Sequence, residues 1–271
     1  MTAPRTNPHV TRDPPVRRFT VDVGAAAARR HVIPAWFAAD ITEIRPLLDA
    51  RPDTGSLTTY VVATLARAVR RHPRMHAMRD LRGRVVTFRS VDINVMVEVL
   101  HHGRPFPMNH VLRSADTRGL HDLYRELQAV KVEPSRSETR RLAAGARWFL
   151  LLPSPVRSRA IGALHRFPDR QRSMIGTVGV TSVGMFGQGG GLGLPFLVHT
   201  LDILVGGVEE RPGFNRRGEV VPRQFLQIAV VADHDVVDGA PLARFLSDFR
   251  RGLESGAALP SRPEGTGTVG A

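Results

Sequence analysis

The stretch from Arg223 to Leu253 reads RQFLQIAVVADHDVVDGAPLARFLSDFRRGL. Residues 225–231 form an apolar run of the length of a buried strand, and the last part has the pattern of a helix that ends at Leu253. His234 lies between them, where the strand ends and the chain turns into the helix. Rigid backbone on both sides keeps a side chain in one place, as a general base requires, so His234 is the first candidate for a catalytic residue.

The residues after His234 begin the predicted helix. Asp238 is a residue type that favours the N-cap, Gly239 permits close approach of another backbone, and Pro241 suits the first turn. Each of them therefore has a structural explanation as well as a catalytic one. On this local pattern alone, a catalytic corner and a capped helix with an incidental histidine both remain open.

Length and composition indicate a folded chain. With 271 residues, 42% of them hydrophobic, the sequence can bury one large core or two small ones. It has no apolar run of about eighteen residues and no hydrophobic segment in residues 1–18, which predicts neither a spanning helix nor a secretory signal. The absence of cysteine excludes disulfides, cysteine nucleophiles and thiolate zinc sites. We therefore expect a cytoplasmic location and no bound metal.

The charge of the chain is strongly basic. A net charge of +13 and a pI near 11.5 are typical of proteins that bind nucleic acid or anionic membranes. Here almost all basic residues are arginines spread along the sequence, and aromatic residues make up only 6%. We therefore expect no nucleic-acid binding, although a basic surface can attract a phosphate-bearing ligand or an acidic partner.

One domain is the simplest division of the chain. Residues 1–18 predict a disordered leader and residues 255–271, rich in Gly, Pro, Ser and Thr, a disordered tail, which leaves residues 19–254 as the domain. Hydrophobic periodicity within the domain predicts, in order, a strand after Pro34, a short helix capped by Thr42, a helix from Ser56 to Arg71, paired strands from Val85 to Val99 and a helix from Thr117 to about Val130.

A second pair of polar residues follows an apolar strand in residues 176–187, which read GTVGVTSVGMFG. Thr181 and Ser182 stand near its end, and strand alternation lets only one of these neighbours face a given site. On its own, the pair is explained by the end of a strand.

Residues 233–246, DHDVVDGAPLARFL, resemble the His-x-x-x-Asp-Gly signature of the catalytic domain of 2-oxoacid dehydrogenase acyltransferase subunits, which share a fold with chloramphenicol acetyltransferase. The strand at residues 176–187 is similar to the family strand that carries a serine near the acyl carbonyl. The family also has an Ile-Pro before aromatic residues, which is similar to Ile33–Phe37 here. It has an arginine-x-alanine-aspartate at the start of a helix, which is similar to Arg113–Asp116. The resemblance extends from about Pro34 to Leu253.

The resemblance implies an α+β fold, a two-layer α/β sandwich with a mixed sheet, which is the coenzyme A-dependent acyltransferase (chloramphenicol acetyltransferase-like) fold. It implies acyl transfer between coenzyme A and a thiol, hydroxyl or amine acceptor, with His234 as general base and no covalent intermediate. The family serine falls on Thr181, whose hydroxyl would stabilise the oxyanion, and Ser182 is the alternative if the register slips. The aspartate that matches Asp238 is chiefly structural in the family and holds the loop through an arginine.

Family members are trimers or assemblies of trimers, with the histidine and the hydroxyl contributed by adjacent subunits. The resemblance therefore implies a homotrimer in which one chain holds half a site. Lys131, the single lysine, ends a helical pattern, whereas a lipoyl arm needs a lysine at a hairpin tip. A lipoyl group must then be supplied by another protein.

The chain departs from the family in residues 133–173, where a short connection is replaced by two helix-like stretches, Glu138–Leu152 and Pro155–Phe167. We expect an extra helical hairpin on the sheet or over the active-site mouth, in preference to membrane contact. Asp235 stands where the family usually has arginine and makes the local field more negative. Two alternatives remain: an enzyme that modifies small hydroxyl or amine compounds, and a non-catalytic trimeric scaffold or accessory subunit of a dehydrogenase-like complex.

Overall fold

The structure is a computed structural model that describes residues 15–50, 55–101, 104–137, 148–183, 191–215 and 217–259. Within these ranges the helices are α1 (Pro15–Ala27), α2 (Arg45–Asp49), α3 (Leu57–Arg71), α4 (Leu120–Val132), α5 (Ser154–Leu164), α6 (Pro168–Ile175) and α7 (Gly239–Glu254). The strands are β1 (Val32–Asp40), β2 (Met78–Arg79), β3 (Val85–Val86), β4 (Ile93–His101), β5 (Arg104–Leu112), β6 (Val178–Ser182), β7 (Leu201–Phe214) and β8 (Val220–Asp233). Short 3₁₀ turns span Pro73–His76, Ala115–Thr117 and Pro134–Arg136.

The main sheet has six strands in the order β1-β8-β7-β6-β4-β5, and β2 pairs with β3 in a small second sheet. Strand β6 runs parallel to both of its neighbours, β4 and β7. The pairs β1–β8, β7–β8 and β4–β5 are antiparallel. The predicted mixed sheet is therefore confirmed. Because only β7 lies between β6 and β8, the two stretches singled out in the sequence occupy nearby strands of one sheet.

One face of the sheet is covered by helices. The predicted helix α3 is capped by Ser56, whose side chain accepts from Thr59 N–H at 3.2 Å. On α7, Phe245 and Phe249 stack with ring centroids 5.9 Å apart, and the edge of Phe37 from β1 meets Phe249 at 5.7 Å. These contacts bury a continuous apolar layer between helices and sheet, which gives the expected two-layer sandwich.

The inserted region contributes α5 and α6. Helix α5 confirms the prediction of a helix in Pro155–Phe167, whereas most of the predicted Glu138–Leu152 helix lies outside the described residues. The buried carboxylate of Asp22 on α1 pairs with Arg157 of α5 and accepts a hydrogen bond from Ser154. The insertion is thus fastened to the helix that precedes the first strand.

Several predicted boundaries are wrong. Helix α1 begins at Pro15, inside the predicted disordered leader, and it packs on α5. The start of the predicted tail folds back, since Ala258 is buried and Leu259 N–H bonds to Gly256 O at 2.9 Å. Thr42 does not cap α2, because its hydroxyl bonds to the carboxylate of Asp40 at 2.6 Å.

Among the residues that the structure describes, no helix has both the length and the apolar character of a membrane-spanning segment.

Candidate active site

The turn after β8 carries His234. The carbonyl of Asp233 accepts from the N–H groups of Val236 and Val237 at 3.1 and 2.9 Å, and both valine side chains are buried in the core. The N–H of His234 itself donates to the carbonyl of His31, just before β1, at 2.8 Å. The predicted strand-to-helix corner is therefore confirmed, and its backbone is held by the core and by the neighbouring strand.

Two arginines hold the same turn. Arg30 forms an ion pair with the buried carboxylate of Asp233. Arg79 donates to the carbonyl oxygen of Asp235 from Nε at 3.2 Å and from Nη2 at 2.6 Å. The arginine partner implied for Asp238 is not found in the part of the chain that the structure describes, where Arg30 and Arg79 contact Asp233 and Asp235 instead.

The imidazole of His234 is accessible, with 53% of its side chain exposed. Its Nδ1 lies 4.0 Å from Oδ1 of Asp238, which permits electrostatic contact but is too long for a hydrogen bond. Asp238 occupies the N-cap position of α7, but its carboxylate makes no capping hydrogen bond, so the capping role predicted for this side chain is wrong. Within the described chain nothing lies within 4 Å of the Cβ position of Gly239, so the close approach predicted there is absent.

Asp235 has a partner that the sequence did not suggest. Its Oδ1 lies 2.9 Å from Nδ1 of His31, and the two exposed side chains form an ion pair. The hydrogen bond that Asp235 accepts from His31, together with the charge of the carboxylate, raises the pKa of His31. The carboxylate of Asp235 therefore interacts with His31.

Thr181 and Ser182 face opposite sides of the sheet. Val178 and Val180 belong to the core under the helices, so alternation places Ser182 on the same side. Its Oγ lies 3.2 Å from Oγ1 of Thr58 in the first turn of α3. Thr181 points to the other face and makes no side-chain hydrogen bond to the residues that the structure describes.

One chain does not bring these hydroxyls to His234. Thr181 pairs with Leu204, and Leu204 pairs with Ala229, five residues before His234 on β8. Strand geometry puts the two positions about 17 Å apart along the strands and about 10 Å apart across them. A site that uses both groups therefore needs a second copy of the chain.

A second imidazole–carboxylate pair lies deep in the fold. His199 Nδ1 is 2.6 Å from Asp202 Oδ1, and Nε2 donates to the carbonyl of Ile175 at 2.8 Å. Burial alone would raise the pKa of Asp202, but the charge of His199 and hydrogen bonds from its side chain and backbone lower it. A Cβ on Gly179 would stand 1.9 Å from Asp202 Oδ1, so this position requires glycine. The pair is closed to ligands and holds β7 to the start of β6.

Sequence reasoning missed Arg30, His31, Arg79 and Thr58. The first two directly precede β1, so the β1–β8 pairing could have located them if the register had been known. Arg79 and Thr58 have no local signal, since each reaches a residue more than a hundred positions away. No group of three or more His, Asp or Glu side chains within the described ranges is placed to hold a metal ion.

Comparison with known proteins gives the class of domain first. Residues 170–259 match the family model described as 2-oxoacid dehydrogenases acyltransferase (catalytic domain). This segment runs from within α6 to five residues past the end of α7 and contains both stretches that the sequence singled out. The predicted resemblance is therefore confirmed over these residues.

Particular proteins agree with that class. Over 79 residues the chain is 33% identical to the mitochondrial lipoamide acyltransferase component of the branched-chain alpha-keto acid dehydrogenase complex of Arabidopsis thaliana, and the match covers 29% of this chain and 16% of the relative. The cubic core of the pyruvate dehydrogenase multienzyme complex is similar in structure, with a TM-score of 0.67 at 17% identity. The match covers 94% of this chain and 99% of the chain of that core. Dihydrolipoamide acetyltransferase of Azotobacter vinelandii has a TM-score of 0.66 at 17% identity, with the same coverage. The structural matches confirm the predicted fold.

Proposed function

We propose that this chain transfers an acyl group between coenzyme A and a thiol, hydroxyl or amine acceptor, with His234 as general base. The observation that carries the proposal is the corner after β8, where the backbone is fixed and the imidazole is 53% exposed. A general base needs both a fixed position and access to the substrate proton. The corner also lies within residues 170–259, which match the acyltransferase model.

The proposed reaction needs no covalent enzyme intermediate. Neutral His234 takes the proton of the attacking thiol, hydroxyl or amine, and the freed lone pair attacks the thioester carbonyl carbon. The tetrahedral intermediate then collapses, the carbon–sulfur bond breaks, and the imidazolium returns its proton to the leaving thiolate. Asp238 lies 4.0 Å from Nδ1 of His234, so its negative charge stabilises the imidazolium until the proton is returned.

A hydroxyl donor for the oxyanion is the second part of the proposal. We assign this role to Thr181, with Ser182 as the alternative, because the hydroxyl of Ser182 is already shared with Thr58. The structure of the Azotobacter enzyme belongs to an investigation of the roles of a serine, a histidine and an asparagine in its catalytic mechanism. The histidine and the asparagine are four residues apart. His234 and Asp238 have the same spacing here, which supports the proposal.

The proposed site is completed by a neighbouring copy in a homotrimer or an assembly of trimers. Within one chain the register separates Thr181 from His234 by about 17 Å along the strands. The similar cubic core of the pyruvate dehydrogenase complex is itself a multi-chain assembly. A heterologous interface around a threefold axis would present one chain's Thr181 to the next chain's His234.

The acceptor we favour is a dihydrolipoyl thiol supplied by another protein. The relatives are a lipoamide acyltransferase and a dihydrolipoamide acetyltransferase, and Lys131 lies on α4 rather than at a hairpin tip. Coenzyme A would be the second substrate.

Steady-state assays with acetyl-coenzyme A test the proposal directly, using dihydrolipoamide in one series and small alcohols and amines in the other. Transfer to the dithiol that is lost in His234→Ala supports the favoured acceptor, whereas transfer only to alcohols or amines supports modification of small compounds. If neither acceptor is acylated, the proposal is wrong and the non-catalytic scaffold is favoured.

A further inference from the structure

An arginine-lined cleft of about 280 Å³ lies beside the His234 corner. Its walls come from the end of α1, from β2, from the inserted helices and from the turn after β8. Five arginines line it: Arg29, Arg30, Arg79, Arg159 and Arg166. The carboxylates among its lining residues are those of Asp233 and Asp235, so positive charge predominates.

The arginines of this cleft are unequally partnered. Arg30 and Arg79 are bound to the turn that carries His234. Arg29 is exposed and donates to the hydroxyl of Ser158 at 3.3 Å, without a carboxylate. The remaining two, Arg159 and Arg166, are exposed and make no side-chain hydrogen bond or ion pair with the residues described. Three guanidinium groups are thus available to an anion.

His165, also in the wall, adds no positive charge near neutral pH. Burial, followed by the charge of Arg30, lowers the pKa of His165 to about 4. Arg30 donates to Nε2 at 3.2 Å, and Nδ1 donates to Oε1 of Gln171 at 2.9 Å. The ring is a neutral link between α6 and Arg30, so the arginines alone set the positive charge of the cleft.

We propose that the arginine-lined cleft is a binding site for a phosphate monoester or diphosphate group. Arginine presents planar, paired N–H donors that match phosphate oxygens. Arg159, Gly162 and Arg166 recur along α5 at helical spacing, so one side of this helix and the turn after it face the cleft. Pockets for whole drug-sized ligands have volumes of about 300–1,000 Å³, so the volume here suits a phosphate or diphosphate rather than a complete coenzyme.

Position gives the cleft a connection to the reacting group. Arg79 lines it and also donates to the carbonyl of Asp235, next to His234. The phosphate group can belong to coenzyme A or to a free phosphorylated compound. The proposal is independent of acyl transfer, because binding is measured without turnover.

Isothermal titration calorimetry of the full chain with inorganic pyrophosphate tests the site. The double variant Arg159→Gln/Arg166→Gln removes two unpartnered guanidinium groups and should weaken pyrophosphate binding at least tenfold. The control Arg89→Gln/Arg125→Gln removes the same charge from exposed positions outside the cleft and should leave the affinity within about twofold of wild type. If the double variant does not fold, the single variant Arg166→Gln, in the turn after α5, should still weaken binding about threefold.

Competition identifies the source of the phosphate. Displacement of pyrophosphate by coenzyme A but not by dephospho-coenzyme A assigns the 3′-phosphate, and displacement by both assigns the diphosphate. Binding of pyrophosphate that neither displaces assigns a free phosphorylated compound. The proposal is overturned if wild type shows no saturable binding of pyrophosphate, or if the cleft variant and the control bind it equally well.

Discussion

The N–H of His234 donates to the carbonyl of His31 at 2.8 Å, which ties the corner after β8 to the residue before β1. The neighbouring Arg30 pairs with Asp233, the residue before His234. Two successive residues from the beginning of the chain therefore position two successive residues of the corner. The orientation of the proposed base depends on the segment that leads from α1 into the sheet.

Removal of the imidazole should abolish most of the activity. We expect His234→Ala to lower kcat for acyl transfer from acetyl-coenzyme A to dihydrolipoamide by about 10²–10⁴, the contribution of a general base. KM should change little, because the ring acts on the proton rather than on binding. The exposed position of the ring predicts an unchanged thermal melting temperature. A folded variant with wild-type kcat would contradict the assignment of the base.

The two hydroxyls near the end of β6 should differ in effect. Thr181→Ala should lower kcat by about 10²–10³, as loss of an oxyanion donor does, and Thr181→Ser should retain most of the activity. Ser182→Ala should mainly cost stability, about 1 kcal/mol, because its hydroxyl is 3.2 Å from that of Thr58. Steady-state kinetics and urea unfolding separate the two effects. A larger fall in kcat for Ser182→Ala would assign the role to Ser182.

Acid should destabilise the fold through its buried histidines. Burial is the main cause that lowers the pKa of His76 and of His165 to about 4, whereas an unfolded histidine titrates near 6.5. Between these values the unfolded chain binds more protons, so stability is present above pH 6.5 and is lost as the pH falls toward 4. At pH 5 the loss is about 2 kcal/mol for each histidine.

Urea unfolding at pH 7, 6 and 5 measures this effect. The fall in the free energy of unfolding on acidification should be smaller in His165→Gln than in wild type. The control Arg125→Gln changes an exposed residue of α4 and should keep the wild-type slope. Equal slopes in wild type and His165→Gln would show that His165 is not held neutral by burial.

The pair between α1 and α5 should anchor the insertion. Asp22 is fully buried, and only 8% of the Arg157 side chain is exposed. Asp22→Ala leaves the Arg157 donors without their carboxylate and should cost about 1–3 kcal/mol of unfolding free energy. Limited proteolysis should then cut α1 faster, while Asp169→Ala, at an exposed aspartate on α6, should resist cleavage like wild type. Equal cleavage rates would mean that other contacts hold α1 in place.

The sequence predicted best where local pattern and geometry coincide. The apolar run of β8 and the His234 corner follow from periodicity and turn chemistry, and α3 follows from an apolar face that recurs at helical spacing. Side-chain partners were harder to predict. Asp238 has the right backbone position but faces His234 instead of capping α7, since N-cap preference fixes a residue type and not a rotamer.

Long-range pairs lay outside the reach of sequence patterns. Arg30 reaches Asp233 across 203 positions, and this contact follows only from the register of β1 against β8. The registers of β6 against β7 and of β7 against β8 likewise separate Thr181 from His234 in one chain. The mixed sheet was predicted from the family resemblance, because periodicity alone does not give the strand order.

The central claim is that His234 and the oxyanion hydroxyl come from different copies of the chain. His234→Ala and Thr181→Ala chains, denatured together in equal amounts and refolded, measure it most directly. Random mixing in a ring of heterologous interfaces gives about a quarter of the interfaces an intact histidine and an intact threonine. The mixture should therefore recover about a quarter of wild-type activity, while each variant refolded alone stays inactive. Mixed oligomers that form but remain as inactive as the separate variants would contradict the account.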